Sequence, residues 1–225
     1  MTPPAIVEAA RRAGLAIIAI CDHNSAGNAK AVQDAAAGTG DLVVLAGMEI
    51  TTREEVHILG LFPDVSWAET AGKTVRATLP KSTPASSHFG GQRLADARGR
   101  LLGVEPKRLA AATTFSLAEA VGVIHGHGGL AVPSHVDRPS FSVMSQLGVF
   151  PTDAGFDAIE ISASSRGTRR AAAFEAYGLP VITSSDSHSL GEIGAAMSIL
   201  TAREPTFDEL VLALRREGGR GVRRA

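Results

Sequence analysis

The sequence has 225 residues, 44% of them hydrophobic, few aromatic residues and a formal net charge of −1 at neutral pH. This length predicts one α/β domain, and the balanced charge indicates neither a nucleic-acid surface nor a membrane surface. Cys21 is the single cysteine, and no secretion signal or bilayer-spanning apolar run is visible; we therefore expect a cytoplasmic protein with a small-molecule partner.

The first part of the chain alternates predicted helices and strands. Thr2-Pro3-Pro4 is typical of a helix start, with threonine as the N-cap and proline in the first turn, and Gly14 ends this helix. Leu15 to Ile20 is a continuous apolar run, which predicts a strand buried on both faces. An Ala-rich helix from about Ser25 to Ala37 and a strand from Leu42 to Leu45 follow.

A turn and then an irregular stretch come next. Arg53-Glu54-Glu55 predicts a hairpin-type turn into a strand at Val56 to Leu59. From Pro63 to about Lys107, Pro, Gly, Ser and Thr interrupt every candidate element. We interpret this stretch, at about 63–107, as a surface excursion and a candidate lid.

Regular elements return in the second half. Ser116-Leu117-Ala118-Glu119 is a capping box, which predicts a helix to about His125. A second capping box, Thr206 to Glu209, starts a final helix through about Arg216, and the Gly- and Arg-rich residues 218–225 are expected to be frayed. Between these helices the sequence predicts strands at Leu130–Pro133, Ala158–Ile161 and Val181–Thr183 and a helix from about Thr168 to Tyr177. This alternation predicts a parallel sheet, either doubly wound or closed into a barrel.

Acidic and imidazole side chains recur just past the C-terminal ends of the predicted strands. They are Asp22, His23, Glu49, His135, Asp186 and His188, and His57 lies inside a strand. In a β/α barrel these strand ends converge on one face, where such folds place their active sites. Imidazole and carboxylate ligands suit zinc, manganese or iron, and a mixed set favours a catalytic metal site over a structural one.

Each of these residues also has a purely structural interpretation. A single histidine is more often a packed or surface residue than a ligand, so only the recurrence favours a site. His88 lies in the irregular excursion, and His125 and His127 flank a helix end, where the helix dipole favours imidazolium; we leave all three out of the metal set. Arg138 either binds phosphate oxygens or forms an ion pair with Asp137.

Five segments, in order, resemble motifs of the PHP family, named for polymerase and histidinol phosphatase. They are Ile20–Ser25, Gly47–Thr51, Val56–Gly60, Val132–His135 and Ser184–His188. The resemblance implies a distorted (β/α)7 TIM-like barrel, formed here by residues 1–217 as one domain. The continuation Asp137-Arg138-Pro139-Ser140 is similar to a bacterial subgroup described mainly as predicted phosphoesterases.

The resemblance also implies a function. It identifies a metal-dependent phosphoesterase with two to three divalent ions (Mn, Zn or Fe), a metal-activated hydroxide as the nucleophile, and a small phosphomonoester or phosphodiester such as a nucleotide or sugar phosphate as the substrate. Asp22 would be a ligand or lie beside the ligands and, with Arg138, would take part in catalysis. The implied metal ligands are His23, Glu49, His57, His135, Asp186 and His188.

One family motif is missing from the sequence. PHP chains open with a strand that ends in His-x-His before the helix that here starts at Thr2, so we expect the barrel to lack its first strand and two ligands. Either Met1 is an internal methionine of a longer protein, which we favour because the later motifs are intact, or the protein starts here with fewer metals. We expect this 225-residue form to be weakly active or inactive, and an unpaired strand edge leaves a homodimer open.

Three other functions remain alternatives. The first is a non-catalytic or weakly active metal-binding remnant. The second is a metal-dependent amidohydrolase, although such barrels commonly use a bridging lysine, and the lysines of this chain do not follow recognisable strands; they are Lys30, Lys73, Lys81 and Lys107. The third, a nucleic-acid 3′-exonuclease, is not expected because the chain shows no basic stripe apart from its Arg-rich end.

Overall fold

The computed structural model describes residues 1–81, 92–165 and 168–224, and His88 lies outside these ranges. The described residues form a mixed α/β fold, and no helix among them is long and apolar enough to cross a bilayer. The helices are α1 (Pro3–Arg12), α2 (Ala29–Ala36), α3 (Val65–Thr78), α4 (Leu117–Gly126), α5 (Val143–Leu147), α6 (Arg169–Glu175) and α7 (Phe207–Arg215). The strands are β1 (Ile17–Ile20), β2 (Val43–Thr51), β3 (His57–Phe62), β4 (Arg93–Ala95), β5 (Leu101–Val104), β6 (Leu130–Pro133), β7 (Ile159–Ile161), β8 (Val181–Thr183), β9 (Ser198–Thr201) and β10 (Gly221–Arg224).

The largest sheet has four strands in the order β1-β2-β3-β6. β1 and β2 are parallel, as predicted, but β3 is antiparallel to both β2 and β6, so the expected wholly parallel sheet is wrong at this strand. The reason is the short connection between β2 and β3. Residues 52–56 form the predicted hairpin turn, whereas a parallel crossover needs a dozen or more residues.

The remaining central strands continue in the direction of β6. The backbone N–H of Asp157 donates to the carbonyl of Ala131, and that of Val136 donates to the carbonyl of Glu160, both at 2.9 Å. The end of β6 therefore runs parallel to β7. β7 and β8 form a parallel pair. The carboxyl ends of β1, β2, β6, β7 and β8 therefore point the same way. The hydrogen-bonded ladders of the described ranges group into sheets of four, two, two and two strands, so the closed seven-stranded barrel stays a prediction.

Apolar packing covers both faces of the four-stranded sheet. On one face Met48, Phe62 and Ile124 are fully buried in a cluster that includes α3 and α4, and on the other Phe207 and Leu214 of α7 contact a second cluster. Burial on both faces explains the continuous apolar strand sequences. The exception is β1, which was predicted to be buried on both faces but is partly exposed because it lies at the sheet edge.

The stretch from 63 to 107 is more regular than predicted. It contains the 14-residue helix α3 and the hairpin β4–β5, and residues 82–91 lie outside the described part. Asp64 caps α3, because its carboxylate accepts hydrogen bonds from the backbone N–H groups of Ser66 and Trp67. Aspartate is a preferred N-cap residue, so Asp64 was the local sequence signal that could have predicted the start of α3. The buried face of α3 consists of small residues, Ala68, Ala71 and Gly72, with Val75, so its apolar periodicity is weak.

The Arg-rich residues after α7 are also ordered, so the predicted fraying of residues 218–225 is wrong over 221–224. β10 pairs antiparallel with β9, from Gly221 opposite Thr201 to Arg224 opposite Ser198. Glu209 of α7 fixes this pair: its carboxylate accepts from Arg220 at 2.7 and 3.0 Å and from the backbone N–H of Arg203 at 2.7 Å. Glu209 therefore bonds to these residues instead of closing the predicted capping box with Thr206.

These contacts predict a pH-dependent loss of stability. The Arg220 guanidinium, with the backbone N–H of Arg203, lowers the pKa of Glu209 from 4.5 to about 2. A lowered pKa in the folded state stabilises the fold fully above the unfolded value of 4.5, and this contribution fades as the pH falls toward 2. We expect Glu209→Gln to lower the melting temperature by a few degrees at pH 7 and by progressively less between pH 5 and pH 3.

Thermal unfolding monitored by circular dichroism across this pH range measures the effect. Asp34→Asn is the matched control, because Asp34 pairs with Lys30 on the exposed surface of α2, where an ion pair contributes little. A melting-temperature loss for Glu209→Gln that is as large at pH 3 as at pH 7 would contradict the prediction.

Candidate metal centre

The strand ends enclose one small cavity of about 130 Å³. All six predicted metal ligands line it, and so does Arg138, although these residues come from β2, β3 and the segments that follow β1, β6 and β8. The complete lining is His23, Glu49, His57, His135, Arg138, Ser140, Phe141, Asp186 and His188. The structure therefore brings together residues up to 165 positions apart, from His23 to His188.

The Glu49 carboxylate lies at the centre of three imidazoles. Its Oε2 is 2.9 Å from His23 Nδ1 and 3.3 Å from His57 Nδ1, and its Oε1 is 3.6 Å from His135 Nε2. Ligand atoms of His23, Glu49 and His57 all lie within 4.8 Å of one another. Glu49 is only 5% exposed, so its charge must be balanced locally.

The residues fit a divalent cation. Nδ1 of His23 and His57 approaches Glu49 Oε2 at 2.9 and 3.3 Å without good hydrogen-bond geometry, and the buried Nδ1 of His135 has no hydrogen-bond partner among the described residues. Buried polar atoms are normally hydrogen-bonded. A cation shared by the carboxylate oxygen and the imidazole nitrogens would satisfy these atoms together, and the nitrogen and oxygen donor set suits zinc, manganese or iron.

The electrostatics of the cluster keep Glu49 ionised. Burial works to raise the pKa of Glu49, but the imidazoles of His135, His23 and His57 outweigh it and hold this pKa well below its usual value. The neighbouring Glu49 carboxylate raises the pKa of His23 in turn, although partial burial opposes the shift.

The backbone at the site has unusual conformations. Positive φ is uncommon for residues other than glycine, yet His135 (34°), Asp186 (47°), Phe141 (54°) and Asn24 (50°) all adopt it. Three of these residues line the cavity, and Asn24 follows His23. Strained backbone of this kind persists only where surrounding contacts enforce it, and it concentrates at functional sites.

Asn24 is one of the residues that sequence reasoning missed. Its fully buried side-chain amide donates to the backbone carbonyls of Leu109 and Ala111 at 2.7 and 2.9 Å and accepts from the N–H of Thr51 at 2.9 Å. Its backbone N–H donates to the carbonyl of Glu49 at 2.8 Å. Asn24 thus ties the end of β1 to the end of β2. Its position after His23 in a polar strand end was the available signal.

Glu160 and Ser184 form a second missed support. The buried Glu160 carboxylate accepts the backbone N–H of His135 at 3.0 Å and the hydroxyl of Ser184. Burial raises the pKa of Glu160. Glu160 stands inside the apolar run Ala158 to Ile161, and a single acidic residue in a predicted buried strand was the signal that could have found it.

Arg138 has a different partner from the one considered in the sequence. Its Nη1 donates to Asp186 Oδ2 at 2.6 Å, whereas Asp137 accepts hydrogen bonds from the backbone and hydroxyl of Ser162. The suggested Arg138–Asp137 ion pair is therefore wrong. Arg138 and Asp186 together form one rim of the cavity, and the side chain of Arg138 remains 39% exposed.

Asp22 does not line the cavity. Its Oδ2 accepts a hydrogen bond from Asn28 at 3.1 Å, and burial raises its pKa. Adjacent residues of an extended segment point to opposite sides, which explains why His23 faces the cluster and Asp22 does not. The predicted ligand or catalytic role of Asp22 therefore lacks support from its position.

His125 and His127 lie elsewhere: His125 is in the last turn of α4, and His127 is the C-cap of this helix. Nε2 of His125 is 3.0 Å from Asp157, and Nδ1 of His127 is 2.8 Å from the carbonyl of Val123. Neither lines the cavity.

Phe141 is a cavity residue that sequence reasoning did not single out. Its ring stacks on the His57 imidazole with centroids 4.8 Å apart, and it remains 42% exposed. Its backbone carbonyl accepts the N–H of His57 at 2.9 Å. His188 lies on the opposite, open side: its side chain is 67% exposed, and its ring centroid is 6.1 Å from that of His23.

Sequence comparisons connect this site with known proteins. Residues 168–217, which include Asp186 and His188, match the family model described as PHP-associated. The uncharacterised protein YqxK of Bacillus subtilis is 31% identical over 100 residues, which make up 42% of this chain and 26% of YqxK. The chain thus spans about a quarter of this curated relative.

Solved structures share the fold over nearly the whole chain. Endonuclease Q of Pyrococcus furiosus, a lesion-specific endonuclease, is 19% identical with a TM-score of 0.68, and the match covers 99% of this chain and 53% of that one. A second structure of Endonuclease Q holds a 27-mer duplex substrate with an abasic lesion at the active site. A proposed metal-dependent phosphoesterase of Bifidobacterium adolescentis is 22% identical with a TM-score of 0.60, covering 96% and 91% of the two chains.

An amidohydrolase of Chromobacterium violaceum is also similar, with 20% identity, a TM-score of 0.61 and coverage of 100% and 93%. At these identities the likeness concerns the fold. Together with the family-model match, it confirms the resemblance to PHP proteins that the sequence motifs indicated.

The geometry predicts that Glu49 is essential for metal binding and that Asp22 is not. We expect the purified protein, loaded with Mn²⁺ or Zn²⁺ and desalted, to retain metal. Glu49→Gln should lose at least one equivalent, because it removes the charge shared by three imidazoles, whereas Asp22→Asn, the same change one residue before His23, should retain the wild-type amount.

Inductively coupled plasma mass spectrometry gives the metal-to-protein ratio, and circular dichroism verifies that both variants are folded. Equal metal content in the wild type and in folded Glu49→Gln would disprove the assignment of the cluster as a metal centre.

Proposed function

We propose that this chain is a metal-dependent hydrolase of phosphoesters whose site is the His23, Glu49, His57, His135, Asp186 and His188 cluster. The observation that carries the proposal is the buried carboxylate of Glu49, whose oxygens lie within 3.6 Å of nitrogens of three imidazoles, those of His23, His57 and His135. The proposal includes a distorted seven-stranded barrel, because the carboxyl ends of strands from both halves of the chain meet at this cavity. When bound, divalent ions would polarise a phosphoryl oxygen and lower the pKa of a coordinated water.

Arg138 is the proposed anchor for the phosphoryl group. It lines the cavity, and among the described residues its guanidinium contacts Asp186 through Nη1 alone. A guanidinium has five N–H donors in a planar arrangement that matches phosphate oxygens. Asp186 therefore fixes the orientation of Arg138 while the other donors remain available to the substrate.

The cavity favours a small substrate. Its volume of about 130 Å³ is small for divalent ions together with a phosphoryl group, so the rest of the substrate must lie at the rim. There the partly exposed ring of Phe141 offers an apolar surface, held in place by stacking on His57. A phosphomonoester with a flat organic group, such as a nucleotide, matches this arrangement better than a bare phosphate.

A nucleic-acid phosphodiester is the second candidate. The expectation against nucleic acid relied on the absence of a basic stripe, but Endonuclease Q, which has the same fold, holds a duplex substrate with an abasic lesion at its active site. This chain spans about half of that enzyme. The small phosphoester and the nucleic-acid phosphodiester would use the same residues of the cluster. They differ in the part of the substrate that lies at the rim of the cavity.

An amidohydrolase remains a weaker alternative despite the fold similarity. A bridging lysine is not in place: Lys30 lies in α2, Lys73 lies in α3, and Lys81 and Lys107 pair with each other in an isolated bridge. None of the four lines the cavity. The other alternative, a metal-binding remnant without catalysis, predicts bound metal without turnover.

Activity measurements test the proposal. We expect the Mn²⁺-loaded protein to hydrolyse p-nitrophenyl phosphate or bis(p-nitrophenyl) phosphate at a weak but measurable rate and to lose this activity on chelation. His135→Ala should lower kcat by about 100-fold or more, as is usual when a metal ligand or its support is removed. Arg138→Ala should raise KM by about tenfold, since it removes charge-assisted hydrogen bonds to the phosphate.

His127→Ala is the matched control, because His127 is remote from the cavity and its imidazole contacts a backbone carbonyl. Its kinetics should equal those of the wild type. Full activity in His135→Ala, or activity that survives complete metal removal, would refute the proposed function, and metal binding without any turnover would favour the remnant.

A further inference from the structure

A second cavity, of about 310 Å³, lies at the opposite end of β8 from the metal centre. It is lined by Glu175, Leu179, Val181, Arg216, Val222, Arg223 and Arg224, and we call it the arginine cavity. Val181 begins β8, whereas Asp186 and His188 follow its other end. The two cavities share no residue.

The arginine cavity contains a buried donor without an acceptor. Arg224 Nη2 is 2.5 Å from Glu175 Oε1, but Arg224 Nη1 is buried and has no hydrogen-bond partner among the described residues. A buried donor left unpaired destabilises the folded protein. An anionic oxygen placed in the cavity would supply the missing acceptor.

Two further arginines, Arg216 and Arg223, add positive charge to the cavity. Both are exposed residues of its lining. Three arginines therefore line the cavity, against the single carboxylate of Glu175, which Arg224 already binds. The residues that line the cavity leave this excess of positive charge unbalanced.

The rest of the lining is apolar. Leu179, Val181 and Val222 contribute aliphatic surface beside the guanidinium groups, and Val181 is 8% exposed. Pockets of this type combine an apolar wall with a few charged groups that orient a ligand. A ligand with an anionic group and an organic group matches both parts of the arginine cavity.

We propose that the arginine cavity binds a small organic phosphate, with its phosphate on Arg216, Arg223 and Arg224 and its organic group against Val181 and Val222. Arginine is suited to this task because its planar donors bind phosphate oxygens in pairs. The concave shape and the limited volume favour a small molecule over a polynucleotide, which would need an extended basic surface. The site is independent of the proposed phosphoesterase function.

Isothermal titration calorimetry with ADP, in the presence of EDTA to remove divalent ions, tests the proposal. We expect saturable binding with one ADP per chain. Arg223→Ala and Arg216→Ala should each weaken the affinity by about tenfold, because each removes charge-assisted hydrogen bonds. Glu175→Gln should strengthen the affinity severalfold, because it removes the carboxylate of the cavity.

Two control variants locate the binding. Arg215→Ala removes the same charge from the neighbouring residue of α7, which does not line the cavity, and should change the affinity less than twofold. Arg138→Ala alters the metal centre and should also leave ADP binding unchanged.

Three outcomes would overturn the proposal. The first is an equal loss of affinity in Arg215→Ala and Arg223→Ala, which would indicate non-specific attraction. The second is loss of binding in Arg138→Ala alone, which would place ADP at the metal centre. The third is the absence of ADP binding to the wild type, whether or not a single-stranded DNA 20-mer binds. Failure here would leave the metal-content and phosphoesterase measurements unaffected.

Discussion

The buried charge of Glu49 is the constraint on which the site depends. An ionised carboxylate placed in a protein interior without compensation costs several kcal/mol. Here the compensation comes from His23, His57 and His135, which belong to the segment after β1, to β3 and to the segment after β6. The four-stranded sheet therefore has to hold three imidazoles around one carboxylate, and its strand order places them there.

The strand ends meet this requirement through strained backbone and buried polar contacts. His135 has a φ of 34°, and the Glu160 carboxylate holds its N–H at 3.0 Å. Asn24 has a φ of 50° and satisfies its whole side-chain amide within the protein. Left-handed conformations of such residues cost roughly 1–3 kcal/mol each, and the surrounding contacts must supply this energy. These strained conformations occur where the imidazoles and carboxylates converge on the cavity.

The sequence indicated which residues converge on the cavity, but it did not indicate their hydrogen-bond partners. His23 and Glu49 could be selected from the sequence because each follows an apolar run that predicts a strand. The carboxyl ends of parallel strands meet at one edge of a sheet, so residues at these ends are expected to lie close together. Arg138 was different: its partner is Asp186, 48 positions away, whereas the adjacent Asp137 turns toward Ser162. Such pairings depend on the local backbone, and the positive φ of Asp186 cannot be read from composition.

For the fold, too, features set by neighbouring residues were predictable from the sequence, and features set by distant residues were not. Capping at Ser116 and the hairpin before β3 were visible in the sequence, because both arise from neighbouring residues. Helix α3 was missed because its buried face consists of small residues and gives a weak apolar signal. The order of β10 was missed because Glu209, a residue of a different element, fixes Arg220. Whether such a segment is ordered depends on long-range ion pairs and not on local propensity.

The two cavities lie at the two ends of β8, and this strand limits how they can influence each other. β8 has three residues, of which Val181 and Thr183 are buried, and the two cavities share no lining residue. The physical connection runs from Val181 along β8 to Ser184, whose hydroxyl donates to Glu160, and then to the backbone of His135. A ligand in the arginine cavity changes the metal centre only if it favours one position of β8 over another, since binding shifts an equilibrium only through different affinities for its two states. The buried Glu160 contact makes the strained His135 backbone the element on which such a shift would act.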